Sequence, residues 1–310
     1  MIEARHLRVL RAVAQAGSLT AAARALGCSQ PAVSQQIKAL ENSVQTPLLA
    51  RTGRSVRLTE AGEILVRHAT GILAGLAAAE EEVANIVGLR TGRVRLASFL
   101  SGTSELLPSA LAALRAKWPN IDVSFTEAAP QRAVEMLRGG DCEIALAFHY
   151  PGIPQGGGDG DDPWEGLVVR PLLSDRLVIL APAQHELAAQ RETELAALAA
   201  ESWVAGCPSC SRHLVELCEA EGFSPRIDLV TDDYLAVIAL VGAGLGIATL
   251  PEMAFDTSTQ TVRRLDLEPA VHREIVALTL PEYGSVPAVG AMLGELEVAA
   301  RSFGKARAAC

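Results

Sequence analysis

The sequence predicts an α/β chain carrying a small, basic, mostly helical head. Three observations lead there. Residues 1–59 hold short amphipathic helical patterns punctuated by glycine, whereas from Gly92 onward short β-type runs alternate with helical ones. Charge divides the same way. Residues 1–59 carry eight Arg or Lys against two Glu, a net +6, while the whole 310-residue chain carries −9, leaving −15 on the remainder. A basic head on an acidic body directs the head alone to a polyanion.

Hydrophobic residues make up 49%, enough for the cores of two or three domains. The N-terminus has no apolar segment followed by a small-residue cleavage site; its pattern is that of an amphipathic helix. The longest apolar run, Leu235–Leu250, contains Gly242, Gly244 and Gly246. It falls short of the roughly 20 residues a membrane-spanning helix needs. The expectation is a cytoplasmic protein without a membrane partner, its six cysteines held as thiols.

The elements follow in order. Leu7, Leu10, Val13 and Ala14 recur at helical spacing until Gly17. Ser18 caps "LTAAARAL", which stops at Gly27, and Ser29 caps a third helix with Pro31 in its first turn. Three short helices with a glycine-containing turn form a helix-turn-helix pattern. "ARTGRSVRL" then reads as a two-stranded wing turning at Thr52-Gly53. From Thr59 to about Leu89 the chain is helical, with Leu65, Ala69, Ile72, Leu76, Ala79, Val83 and Ile86 as an apolar stripe. A helix that long has no local core, so the stripe predicts packing on a second copy, the alternative being packing on its own body.

Strand–helix alternation follows twice: "RVRLASF", "SELLPSALAALRAKWP", "IDVSFTEA", "QRAVEMLRGG" and "CEIALAF", then "RLVILAP" through "GIATLP". "EIVALTL" and a helix over Val286–Arg301 close the chain. The alternation predicts parallel sheets in two lobes. A Gly/Asp/Pro-rich loop over 151–163 separates the two runs. The predicted domains are residues 1–59, a linker helix over 60–90 and a two-lobed body over 91–303. Lobe I takes 91–167 and 271–303, and lobe II takes 168–270.

The third helix, "SQPAVSQQIKALE", shows an exposed face of Gln and Ser where a merely solvated helix shows Glu and Lys. Gln30, Ser34, Gln35 and Lys38 share one face; Ala32, Val33, Ile37 and Leu40 take the other. Major-groove base edges present fixed donors and acceptors that Gln, Lys and Ser match. Pro31 joins Gln30 at the N-terminal end, the end that enters the groove. Arg51, Thr52 and Arg54 of the wing suit phosphate or minor groove.

"LRAVAQAGSLTAAARALGCSQPAVSQQIKALE" followed by "TPLLARTGRSVRLTEAG" resembles the head of LysR-type transcriptional regulators. The resemblance is dense over 1–62 and looser over the rest. It implies a winged helix-turn-helix, a dimerising linker helix and a two-lobed α/β effector domain similar to periplasmic solute-binding proteins. The implied partners are double-stranded promoter DNA, further copies of the chain as a dimer or tetramer, and a small-molecule effector; RNA polymerase is also allowed. It implies no enzyme activity, no cofactor and no metal. Leu10 and Leu49 stand where the family has Phe, Gln45 where it has a turn Gly, and Ala50 where it has Glu. Carried over by position, the DNA contacts are Gln30, Pro31, Ser34, Gln35, Lys38, Arg51 and Thr52.

In α/β lobes ligands bind beyond the carboxyl ends of strands. "SFLSGTS", "EAAPQ" and "SWVAGCPSC" occupy such places. By resemblance the effector cleft is lined by Ser98, Phe99, Ser101, Pro130, Gly206, Cys207 and Ile247; Thr103 belongs to the same hydroxyl-bearing loop. "CPSCSRHLVELC" has three readings: pocket wall with inert thiols, a Cys207/Cys210 redox pair, or a metal site with His213 and Cys218. "GAGLGIATLP" is a weak nucleotide signal, because it follows a helix and precedes a strand. Two rival functions remain: a solute-binding module, which the basic head opposes, and a thiol oxidoreductase using Cys207 and Cys210.

Overall fold

The computed structural model describes residues 1–52, 55–86, 92–151, 162–206, 208–255 and 260–308. It divides into two compact units. Unit 1 is Met1–Ala147, Pro163–Arg170 and Ala277–Cys310; unit 2 is Phe148–Asp162 and Pro171–Val276.

Unit 1 opens with three helices: α1 Ala4–Ala16, α2 Leu19–Ala25 and α3 Gln30–Val44. Local chemistry sets their ends. Gly17 closes α1 at φ 64°, a left-handed geometry that glycine adopts without steric cost. Ser18 Oγ accepts the Ala21 N–H at 3.1 Å and Ser29 Oγ the Ala32 N–H at 3.4 Å. Val9, Leu10, Val13, Ala22, Ala23, Val33, Ile37, Leu40 and Leu48 form the shared core. Leu10 is fully buried and Leu49 packs against that core, so the two leucines fill the interior in place of larger rings.

Gln45 ends α3 at φ 56°. A non-glycine side chain in this conformation strains the backbone by about 1–2 kcal/mol. Gln45→Gly is therefore expected to stabilise the head by about 0.5–1 kcal/mol in a denaturant titration, after allowing for glycine's larger unfolded-state entropy. An unchanged or lower midpoint contradicts that strain.

The wing is the antiparallel pair β1 Leu49–Thr52 and β2 Ser55–Leu58, with Leu49 opposite Leu58. Glu41 Oε1 accepts the N–H groups of Leu48 (2.9 Å) and Leu49 (3.3 Å), tying α3 to the wing. Next comes α4 Glu60–Ile86, 27 residues long. Thr59 Oγ1 accepts the Gly62 N–H at 3.1 Å and donates to Pro47 O at 2.8 Å. A Cβ on Gly62 would stand 2.3 Å from Leu48 O, so only glycine fits there.

Within unit 1, α4 packs on α1 and on the later elements of the unit. Leu73, Ala74 and Ala78 are buried, and Ala69 joins a cluster with Leu7 and Leu73. Ile72 (52% exposed), Leu76, Ala79 and Val83 (61%) remain outside. The predicted stripe thus splits. Ala69 turns onto the chain's own body, while the outward residues keep the i, i+4, i+7, i+11 spacing of a self-association seam.

The body continues through β3 Gly92–Ser98, α5 Leu100–Glu105, α6 Leu107–Lys117, β4 Ile121–Glu127, α7 Pro130–Gly139 and β5 Ile144–His149. β3 pairs in parallel with β4 and β5, as the alternation predicts. The single helix predicted over "SELLPSALAALRAKWP" is two, α5 and α6. Pro108 lacks the N–H that an uninterrupted helix would bond to Ser104, so the chain breaks at Leu106 and restarts with Pro108 in its first turn. Gln15 Nε2 of α1 donates to Gly139 O (2.9 Å) and Asp141 Oδ1 (2.7 Å) at the end of α7.

The remaining strands are β6 Val168–Pro182, β7 Glu192–Thr193, β8 Ser202–Ala205, β9 Arg226–Val230, β10 Ala248–Pro251, β11 Val262–Leu267 and β12 His272–Thr279. The helices among them are α8 Pro208–Ala220, α9 Tyr234–Gly242 and α10 Pro287–Ala308. In unit 2, β8 and β9 pair in parallel, but β10 and β11 run antiparallel to β6. The all-parallel expectation therefore fails for this unit. Within the second alternation, "ELAAL" stands where a helix is expected but forms a 3₁₀ turn at Leu195–Leu198. In unit 1, Lys117 Nζ meets the buried Glu295 Oε1 at 2.8 Å and ties α6 to α10.

Candidate functional site

The first candidate surface is α3. Val33, Ile37 and Leu40 are buried, while Gln30, Pro31, Gln35 and Lys38 are exposed and Ser34 half-exposed. The expected division into a polar outer row and an apolar inner row is present; Ala32 is the intermediate member of the inner row. The backbone of Arg51 and Thr52 lies in β1, at the end of the wing. Arg54 lies outside the described residues.

The hydroxyl-bearing loop after β3 lies in unit 1. Ser98, Phe99 and Ser101 are all buried, and Pro130 is buried at the start of α7. Ser98 Oγ donates to Phe99 O at 3.2 Å, and the Ala128 N–H donates to Ser98 O at 2.9 Å, which draws the end of β4 against this loop. Thr103 Oγ1 is buried with no hydrogen-bond partner among the described residues. Gly206 and Ile247 lie in unit 2. Ile247 is fully buried, accepts the Val204 N–H and donates its own N–H to Ser202 O, each at 2.8 Å. Trp203 is fully buried core. Cys207 lies outside the described residues.

Unit 2 also contains a recess of which sequence reasoning singled out Gly206, Cys210 and His213 but not the other walls. Its walls are Tyr150, Leu177, Val204–Gly206, Cys210, His213, Leu214, Leu217, Tyr234 and Thr249–Pro251. The His213 ring stacks on Tyr150, centroids 3.4 Å apart at 18°. In the same unit, Arg273 is fully buried and pairs with Asp175, Nη2 to Oδ2 at 2.8 Å. The "SWVAGCPSC" loop and the cysteine–histidine run mark one wall, whereas Tyr150, Leu177, Tyr234 and Thr249–Pro251 come from distant segments that no spacing pattern links to it. Cys218 is buried, which pushes its thiol up to about 11 and disfavours the reactive thiolate.

Burial pulls His213 from 6.5 down to about 4. The sign of the linkage is fixed by that direction. As pH falls through 6.5 the unfolded chain takes a proton at this ring, while the folded chain does not until about 4. Stability from this group is therefore present above 6.5, declines across that window and levels off below 4. The expected loss is on the order of 3 kcal/mol. Urea unfolding of wild type and His213→Phe across the same window measures it; a wild-type slope retained by the variant contradicts the assignment.

A helix whose outer row matches base edges, with a hairpin wing beside it and α/β units after a long helix, defines a DNA-binding regulator with an attached sensing body. Residues 4–63 match the bacterial regulatory helix-turn-helix protein, lysR family, and residues 88–300 match the LysR substrate binding domain. The chain belongs to the LysR family of transcriptional regulators. It is similar to the Hca operon transcriptional activator HcaR of Escherichia coli (strain K12), 31% identical, covering 97% of this chain and 96% of that protein. The HTH-type transcriptional regulator AlsR of Bacillus subtilis (strain 168) is also 31% identical, over 82% of each chain. A full-length OxyR variant from Pseudomonas aeruginosa has the same fold, with TM-score 0.73, 18% identity and coverage of 96% of this chain and 95% of that one.

Proposed function

We propose that the protein binds its promoter DNA sequence-specifically through α3 and the wing, as a homo-oligomer, and that a small molecule held by the α/β body changes that binding or bends the DNA. The observation that carries this reading is the exposed row Gln30, Gln35 and Lys38 above the buried row Val33, Ile37 and Leu40. Gln30, Gln35 and Lys38 read bases, Pro31 and Ser34 fit the helix end into the groove, and Arg51, Thr52 and Arg54 hold the flanking backbone. The effector contacts we assign are Ser98, Phe99, Ser101, Thr103 and Pro130 of unit 1, and Gly206, Cys207 and Ile247 of unit 2. The protein acts in the cytoplasm by binding and not by catalysis, and needs no resident cofactor. Among the described residues no helix is long and apolar enough to cross a membrane.

Dimerisation uses the outward residues of α4. A dimer places two heads on two half-sites, about one or more helical turns apart. Footprinting on the DNA upstream of the protein's own gene tests this: two protected half-sites are expected, and a single isolated one contradicts it. Ile72→Glu with Leu76→Glu is expected to yield monomers in sedimentation and to weaken half-site occupancy by about 10²-fold or more, the usual loss of a second linked contact. A doubly substituted protein that stays dimeric moves the seam elsewhere.

A further inference from the structure

The recess of unit 2 holds buried polar atoms without protein partners. Both ring nitrogens of His213 and Oγ1 of Thr249 have no hydrogen-bond partner among the described residues. Both side chains line the recess, and His213 is only 4% exposed. Buried polar groups in folded proteins are nearly always paired, so two in one recess call for a shared partner.

The walls specify what that partner is. Leu177, Leu214, Leu217 and Pro251 offer apolar surface. No Asp, Glu, Lys or Arg is among the walls, and the buried Arg273, which interacts electrostatically with Tyr150, Tyr234 and Cys210 of those walls, is paired with Asp175. The buried imidazole is uncharged at neutral pH and presents one donor and one acceptor, as does a threonine hydroxyl. A charged ligand would enter with no free counter-charge among these groups, at a steep desolvation cost. An uncharged head that both donates and accepts completes the set. The interior has room for about one water while His213 lies on Tyr150, so a larger ligand displaces that ring.

We propose that this recess binds a small uncharged molecule with a carboxamide or hydroxyl head, held by His213 and Thr249, on a compact apolar body. The recess shares Gly206 with the effector contacts assigned above, so the proposal rests on that reading and adds the chemical class of the molecule held on the unit 2 side.

The test uses the full-length protein at neutral pH with isobutyramide and its isosteric anion isobutyrate as probes. Titrations are followed by calorimetry and by the imidazole resonances of His213. The amide is expected to bind saturably and shift the His213 resonances, with the anion at least about tenfold weaker. His213→Phe and the near-isosteric Thr249→Val are each expected to weaken amide binding about tenfold while unfolding midpoints at neutral pH confirm intact folds. Absence of saturable amide binding, equal or tighter binding of the anion, or unchanged affinity in a folded Thr249→Val protein overturns the proposal. Upstream-DNA binding is measured on the same preparations. Loss of DNA specificity with amide binding intact overturns the regulator reading alone, and the reverse overturns the ligand assignment alone.

Discussion

Replacing Gln35 and Lys38 together by alanine is expected to lower affinity for the protein's own upstream DNA by roughly 10²-fold or more, toward its level on random DNA. Both side chains stand exposed on α3, and neither supports the core formed by Val33, Ile37 and Leu40. The double variant should therefore keep its fold. Each well-matched base contact discriminates by about 1–3 kcal/mol, so the pair together removes roughly 10²-fold or more of specificity. Lys38 also carries charge, and its loss lowers the salt slope by about one unit if it meets phosphate instead of a base. Electrophoretic mobility shifts on specific and random duplexes separate these outcomes. Retained discrimination in a folded variant means that α3 does not read the sequence.

The second large effect is expected in unit 2. Asp175→Ala leaves the Arg273 guanidinium buried without its counter-ion. In the intact protein Asp175 Oδ2 accepts from Arg273 Nε at 2.9 Å and Nη2 at 2.8 Å, while Oδ1 accepts the Met253 N–H at 3.0 Å. The guanidinium carbon sits 4.7 Å from the centroid of the Phe148 ring. Breaking a buried pair from one side costs about 3–5 kcal/mol, because the remaining charge stays desolvated. Replacing both partners, Asp175→Leu with Arg273→Met, is expected to recover most of that loss. Denaturant unfolding measures both, and a single-variant cost below about 1 kcal/mol contradicts the importance of the pair.

The head was legible because its instructions are local. Ser18 and Ser29 are followed by the helices they cap, Gly17 closes α1 in the left-handed conformation, and the two rows of α3 follow from helical spacing alone. Gln45, a departure from the family pattern, stands in the left-handed geometry that a glycine would fill. The linker was half legible. Its apolar stripe announced a long helix but not that Ala69 would turn onto the chain's own body while Ile72 and Val83 stayed outside.

Unit 2 was harder. β6 is 15 residues long, yet only its second half has the apolar run that marks a strand; the first half is half-exposed and mixed. β11 hides its buried Val262, Leu265 and Leu267 among two arginines and an aspartate. Strand direction depends on which neighbour each strand finds, which no local pattern encodes. The same holds for the recess. His213 is conspicuous in the sequence beside two cysteines, but its stacking partner Tyr150 and its polar neighbour Thr249 arrive from distant segments.

The most direct measurement is binding of the full-length protein to its own upstream DNA, beside random DNA, across a salt series. Affinity is expected to fall linearly in log salt for both, with the specific site tighter by roughly 10³-fold or more throughout. Equal affinity for the two duplexes at every salt concentration would contradict sequence-specific recognition by α3 and leave the α/β body as a small-molecule binder without a promoter to control.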